Sequence, residues 1–262
     1  MPTANSIELL TRMGFAARGV MYILIGYLAL RLGRTEDGAG ALEWLDSGGG
    51  RIVLIVMAVG FLAYAIWRLS EAAIDSEGHG GDAKGIAVRL GGAVSGILHL
   101  SFAWLALTMG MGGSGQQGDA AERGASTALT FPGGEAAIAV AAAVLLATGA
   151  YQLIKAIKLS FLKHIDPAVA GKPWIAWLGR AGYLARGVVF VVMAHFLWRA
   201  GRQSDAEAAG GMDQAMDAMP ASLRILVAAG LLMFGVFSLV EARYRRINDP
   251  DVLNRLKRTA AG

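Results

Sequence analysis

RMGFAARG, Arg12 to Gly19, occurs again as RLGGAVSG, Arg89 to Gly96, and as RAGYLARG, Arg180 to Gly187. Each copy begins with Arg, carries Gly in the third and eighth places, and leads into an apolar run. Self-similarity of this kind sets the architecture before any local reading: the chain is one unit written three times. A second motif closes each unit. WRLSEA (Trp67–Ala72), YQLIKA (Tyr151–Ala156) and FSLVEA (Phe237–Ala242) align with an aromatic residue first, Leu third, a charge fifth and Ala last. The repeats therefore run 12–72, 89–156 and 180–242, followed by a basic tail, 243–262.

The 262 residues are 55% hydrophobic and 17% charged, with a mean hydropathy of +0.49, more apolar and less charged than a soluble domain. Six windows hold the apolar content: Met13–Leu32, Ile52–Ile74, Leu90–Met111, Ala136–Leu159, Ala181–Trp198 and Ile225–Tyr244. Each has about 20 residues, enough to cross a hydrocarbon core of about 30 Å as a helix. The expected fold is all-α: a polytopic membrane protein in one membrane domain, 1–262, with six transmembrane helices arranged as three tandem hairpins. Two spans per unit give every unit the same orientation, so the repeats are parallel and related by a pseudo-threefold axis along the membrane normal. The segments Ala41–Gly50, Ser126–Gly134 and Gly211–Ser222, between the two arms of each unit, are expected to lie across the outer face.

Charge sets the orientation. The N-terminal side, the even loops and the tail hold 17 Lys and Arg, against 7 in the odd loops, which puts both termini in the cytoplasm. The first window has no basic n-region and no clear cleavage site, so it reads as a retained helix rather than a signal peptide. With no Cys, thiol catalysis, thiolate metal sites and disulfides are excluded.

The triplicated RxGxxx[RS]G motif, with its paired arm ending in [EK]A, resembles the bacterial family called domain of unknown function 1206, whose tandem two-helix membrane units occur three to a chain. The resemblance spans nearly the whole sequence. It implies a bacterial inner-membrane protein without an assigned activity, and it brings no catalytic residue or cofactor.

Arg18 and Arg186 lie six residues beyond Arg12 and Arg180, about 9 Å deeper along the helix. At that depth an Arg must snorkel or find a partner, and Glu71 and Glu241 on the second arms stand at the same end. The middle unit has Ser95 in place of the Arg and Lys155 in place of the Glu. That paired change favours structural ion pairs Arg18–Glu71 and Arg186–Glu241, with a proton or ion relay as the alternative. His99 and His195 sit deep in the spans. A buried His bonded to a neighbouring helix, a proton-linked role and a bis-imidazole haem are the three readings; a stagger of about 7.5 Å and about 140° between the two positions disfavours haem. Asp75, Glu77, His79 and Asp82 contain metal-ligand chemistry, but the glycines among them favour a solvated turn. No phosphate-cradling loop of the P-loop type is present. The basic tail, with RYRR and RLKR beside the sixth span, fits anionic lipid headgroups; nucleic acid is a poor fit for charge held so close to a bilayer.

No nucleophile–base pair can be read, so an enzyme is not expected, and no cofactor is implied. Two functions remain: a structural or accessory protein binding lipid or other membrane proteins, and a small channel or transporter along the pseudo-threefold axis.

Overall fold

The computed structural model describes residues 4–75, 80–114 and 120–245. The described residues are helical, with one isolated bridge between Ile165 and Arg245. The six long helices are α1 (Ala4–Tyr27), α3 (Arg51–Ile74), α4 (Ala83–Gly110), α6 (Gly134–Lys158), α8 (Pro173–Gln203) and α10 (Ala221–Tyr244); α1 is prolonged by a π-helical turn, Leu28–Leu32, that ends on left-handed Gly33. Each is long and apolar enough to cross a membrane. Shorter helices α2 (Gly38–Ser47), α5 (Ala120–Leu129), α7 (Pro167–Ala170) and α9 (Met212–Asp217) fill the connections. Their starts are chemically marked: Asp37, Asp82 and Asp166 accept hydrogen bonds from backbone N–H groups in the first turns of α2, α4 and α7, the usual work of an N-cap Asp.

The six long helices form a ring in the order α4, α3, α1, α10, α8, α6. Contact between units is the most extensive: α3 packs on α4, α6 on α8, and α10 on α1. Within units, α1 packs on α3 and α8 on α10, but α4 and α6 share at most a marginal contact. The ring is therefore open at one seam, between the two arms of the middle unit.

The repeat alignment explains which interfaces close. The eighth-place glycines all face the second arm of the preceding unit, Gly19 against Leu239, Gly96 against Leu69 and Gly187 against Leu153, and those leucines are the aligned third residues of the closing motif. These small positions let backbones approach, as helix pairs in lipid require. The third-place glycines serve the other interface. Gly14 lies against Tyr64 and Gly182 against Phe234, each on its own second arm, whereas Gly91 has nothing within 4 Å.

The neighbouring positions change with it. Gly60 packs on Ala17 and Gly230 on Ala185, with Ala17 6% and Ala185 5% exposed; the aligned pair in the middle unit is Val144 and Val94, 50% and 52% exposed. The aromatic filler is missing too. Phe15 packs on Tyr64 and Trp67, and Tyr183 on Phe234 and Phe237, where the aligned residues of the middle unit are Gly92, Thr148 and the exposed Tyr151. Bulk has been added at the crossing point and removed from the filling, so this hairpin has no close-packed solution.

Among the described residues, connecting segments pack into the core at both ends of the ring. At the end away from the motifs, Ala41 and Leu42 of α2 and Ala215 and Met216 of α9 are fully buried in the main core. Gly38 sits between Phe102 of α4 and Met21 of α1, with no room for a Cβ. Helix α5 instead joins a separate cluster with Ile138, Ala200 and Ala209. At the motif end, the connection 159–172 buries Phe161 and Ile165, and the Phe161 ring stacks on Tyr183 at 5.1 Å. Asp166 N–H donates to the carbonyl of Tyr244 at 3.0 Å, which ties that connection to the end of α10.

Candidate functional site: the charged interior and the open seam

The first-place arginines cap the preceding unit. Arg12 Nη1 donates to the carbonyl of Ala242 at 3.2 Å and also to that of Arg243; Arg89 Nε donates to Ala72 at 2.9 Å, and Arg180 Nε to Ala156 at 3.4 Å. Ala72, Ala156 and Ala242 are the last residues of the three closing motifs. Each cation thus meets the unsatisfied carbonyls and negative dipole end of the neighbouring helix. The two motifs that define the repeat are the two halves of one contact, made between units rather than inside one.

The seventh-place residues follow the same rule, and here the expected pairing is corrected. Arg18 does not reach Glu71. It is buried, its Nη2 lies 2.6 Å from Glu241 Oε2, and its Nη1 donates to the Tyr64 hydroxyl at 2.9 Å. Its guanidinium also lies 4.5 Å from the Phe15 ring centroid and 5.1 Å from that of Phe234. Glu71 pairs with Arg68, one turn back on its own helix. The expected Arg186–Glu241 pair is also not formed. Glu241 is held by Arg18 and by Arg245, the latter at 3.5 Å. Arg186 lies over the rings of Phe234 (4.4 Å), Phe190 (5.1 Å) and Tyr22 (5.2 Å), and its Nε is buried without a hydrogen-bond partner.

The physical reason is the ring itself. At this depth each first arm packs on the second arm of the preceding unit, so Arg18 reaches Glu241, while Ser95 and Arg186, beside Gly96 and Gly187, stand on arms that pack on the helices of Glu71 and Lys155. The paired change in the middle unit is therefore split over two interfaces. One of the three junctions joins opposite charges across units, and one places two cations on adjoining helices.

Lys155 is partly buried, and its ammonium lies 5.0 Å from the Tyr183 ring and 5.3 Å from that of Tyr151. Glu241 is the charge that acts on it most, followed by Arg245, Arg18 and Arg186. It makes no hydrogen bond or ion pair with a described residue. One turn back, Gln152 has its Oε1 buried without a partner.

His99 occupies the interior place that Tyr22 and Phe190 hold in the other units. Its Nδ1–H donates to the Ser95 carbonyl, one turn back on its own helix, at 2.7 Å, and its ring packs on Tyr64 at 4.3 Å. The expected bond to a neighbouring helix is not made, and Nε2 is buried with no partner. His195 is exposed on α8 beside Phe196. The two imidazoles do not share a site, which removes the geometric basis for a bis-imidazole haem. The structure thus brings His99, Ser95, Lys155, Arg186, Arg18, Glu71 and Glu241 to the interior and leaves His195 outside it.

Of the acidic loop, Asp82 caps α4 and Asp75 accepts from the Gly80 N–H at 2.8 Å; Glu77 and His79 lie outside the described residues, as does the basic tail from 246 onward. No group of three metal-ligating side chains forms among the described residues.

A ring of three helical hairpins, each long helix apolar enough to span a bilayer and each unit locked to the next by an Arg on a helix terminus, defines a multi-pass membrane protein of internal repeats. Its three units match the family model described as Domain of Unknown Function (DUF1206) at residues 13–75, 90–158 and 181–245, and the chain belongs to that family. It is similar to the uncharacterized protein YxxB of Bacillus subtilis (strain 168), with 29% identity over 249 residues covering 90% of each chain. No solved structure matches it.

Proposed function

We propose that the protein is an accessory component of the bacterial inner membrane, with both termini cytoplasmic, that binds other membrane components and catalyses no reaction. The observation that carries this reading is the shape of the ring, packed at both ends among the described residues and open to the side. Phe234 is fully buried and fills the space between α1, α8 and α10, meeting Tyr22 at 4.9 Å and Tyr183 at 5.3 Å, with the Arg18 and Arg186 guanidiniums against its ring. Such packing gives a water-filled channel no continuous path, whereas a lateral gap admits something already in the bilayer. The 17 to 7 distribution of basic residues supports the orientation.

Purification from native membranes in mild detergent, followed by identification of bound lipid and protein, tests the reading. Stoichiometric retention of a membrane component is expected, together with no solute flux above that of empty vesicles when the protein is reconstituted. Flux that scales with protein content, with nothing retained, would overturn it in favour of a channel.

A further inference from the structure

We propose that the seam between α4 and α6 binds an anionic phospholipid, with the headgroup phosphate held by Lys155 and Arg186 and the acyl chains along the exposed apolar flanks of the two helices. The proposal rests on the component-binding reading above and names the component.

The charges of the interior do not balance. Arg18, Arg68, Arg186, Arg245 and Lys155 gather at one level with Glu71 and Glu241. Both carboxylates are committed, Glu241 to Arg18 and Arg245 and Glu71 to Arg68. Lys155 and Arg186 make no hydrogen bond or ion pair with a described residue, ring faces lie against both, and Glu241, the one carboxylate that acts on Lys155, is already bonded to Arg18 and Arg245. Two cations on adjoining helices, withdrawn from water, repel each other and lack hydrogen-bond acceptors. At the α1–α10 junction the anion is part of the chain, Glu241. At the α6–α8 junction Lys155 stands in the place of that carboxylate, and the anion comes from outside. A phosphate offers oxygens that suit both a guanidinium fork and an ammonium.

The route of entry selects a lipid over a free anion. Among the described residues, helices α2 and α9 and the connection 159–172 pack into the two ends of the ring, and the gap opens sideways between α4 and α6. Its lips are apolar and exposed, Val94 and Leu98 on α4 and Val140 and Val144 on α6. Helix α4 turns Gly92, Gly96 and Gly110 to α3, which leaves Val94 and Leu98 on a different face. The depth also fits: Lys155 is three residues from the end of α6, about 4.5 Å inside it, and Arg186 is about 9 Å beyond Arg180. A headgroup at the motif face reaches both while its chains stay in the hydrocarbon region.

The test is native mass spectrometry of delipidated full-length protein titrated with phosphatidylglycerol or phosphatidylcholine. The native chain should retain one phosphatidylglycerol with at least about tenfold preference over phosphatidylcholine. Lys155→Glu, which rebuilds the Arg18–Glu241 arrangement against Arg186, should abolish that preference without lowering the melting temperature of the lipid-free protein. Lys155→Gln, which carries no new charge, should weaken it in the same direction. Val144→Trp should narrow the gap and reduce retention of both lipids. Lys158→Gln, an exposed charge at the same helix end, should leave the preference intact. Unchanged preference in both Lys155 variants, or equal loss in Lys158→Gln, overturns the site while leaving lipid binding elsewhere, and with it the accessory function, standing. Inorganic phosphate that raises the melting temperature as much as the lipid does, and only when Lys155 is present, overturns the choice of a lipid. Protein-dependent flux with no lipid retained overturns the function on which the proposal rests.

Discussion

Replacing Glu241 with Ala is expected to destabilise the protein by about 3–5 kcal/mol, the range found when one member of a buried ion pair is removed. Arg18 and Glu241 are both almost fully buried and 2.6 Å apart. Loss of the carboxylate leaves two guanidiniums, Arg18 and Arg245, without the acceptor they share. The Tyr64 hydroxyl and the faces of Phe15 and Phe234 remain for Arg18, and they offset part of the charge but supply no counterion. Changing Arg18 to Met as well should recover a substantial part of the loss, because the unpaired charge leaves with its partner. Glu71→Ala combined with Arg18→Met should instead give the sum of the single effects, since no contact joins them. Thermal unfolding in detergent across the two cycles measures this. Coupling between Arg18 and Glu71 in place of Arg18 and Glu241 would mean that the charges are paired within units rather than between them.

The second large effect concerns three aligned glycines that are equivalent in sequence and unequal in the ring. A Cβ on Gly182 would stand 2.6 Å from the Phe234 Cα, and one on Gly14 would stand 2.8 Å from the Tyr64 Cα. These are backbone neighbours, so relief requires helices to separate rather than a side chain to rotate. Gly14→Leu and Gly182→Leu should each cost about 3 kcal/mol or more, the upper end of overpacking effects. Gly91→Leu has open space in front of it and should change stability by no more than about 0.5 kcal/mol, as substitutions without a packing consequence do. Melting temperatures of the three variants decide the matter, and equal losses at all three positions would show the middle hairpin to be as tightly closed as the others.

The unit, its three copies, the six spans and the family are all legible in the sequence, because a repeat motif and a hydrophobic run are local properties of a chain. Partners are not. Alignment establishes that Arg18, Ser95 and Arg186 are equivalent, but not whether each faces its own second arm or that of the preceding unit. Adjacency along the chain favours the first, and the structure has the second at the level of the charges. The leading Arg carried the missing signal: Arg12, Arg89 and Arg180 reach the terminal Ala of the preceding unit, which places the two motifs on opposite sides of one interface. The seam was also written in the alignment, in Val94 and Val144 opposite the Ala–Gly pairs of the other units and in Gly92 opposite Phe15 and Tyr183. Those differences acquire meaning only once the partner of each position is known. His99 shows the same limit. Its place in the interior follows from its alignment with Tyr22 and Phe190, but its bond to the Ser95 carbonyl depends on a rotamer that no pattern specifies.

The open middle hairpin is the central claim, and the absence of Cys from the chain permits a direct measurement. Paired Cys substitutions at the aligned positions 17 and 60, 94 and 144, and 185 and 230 carry spin labels for pulsed dipolar spectroscopy in lipid nanodiscs. The 94–144 pair should give the longest distance of the three and resist oxidation to a disulfide, which requires Cβ atoms about 3.8 Å apart. A 94–144 distance as short as the other two, with ready disulfide formation, would contradict the open ring.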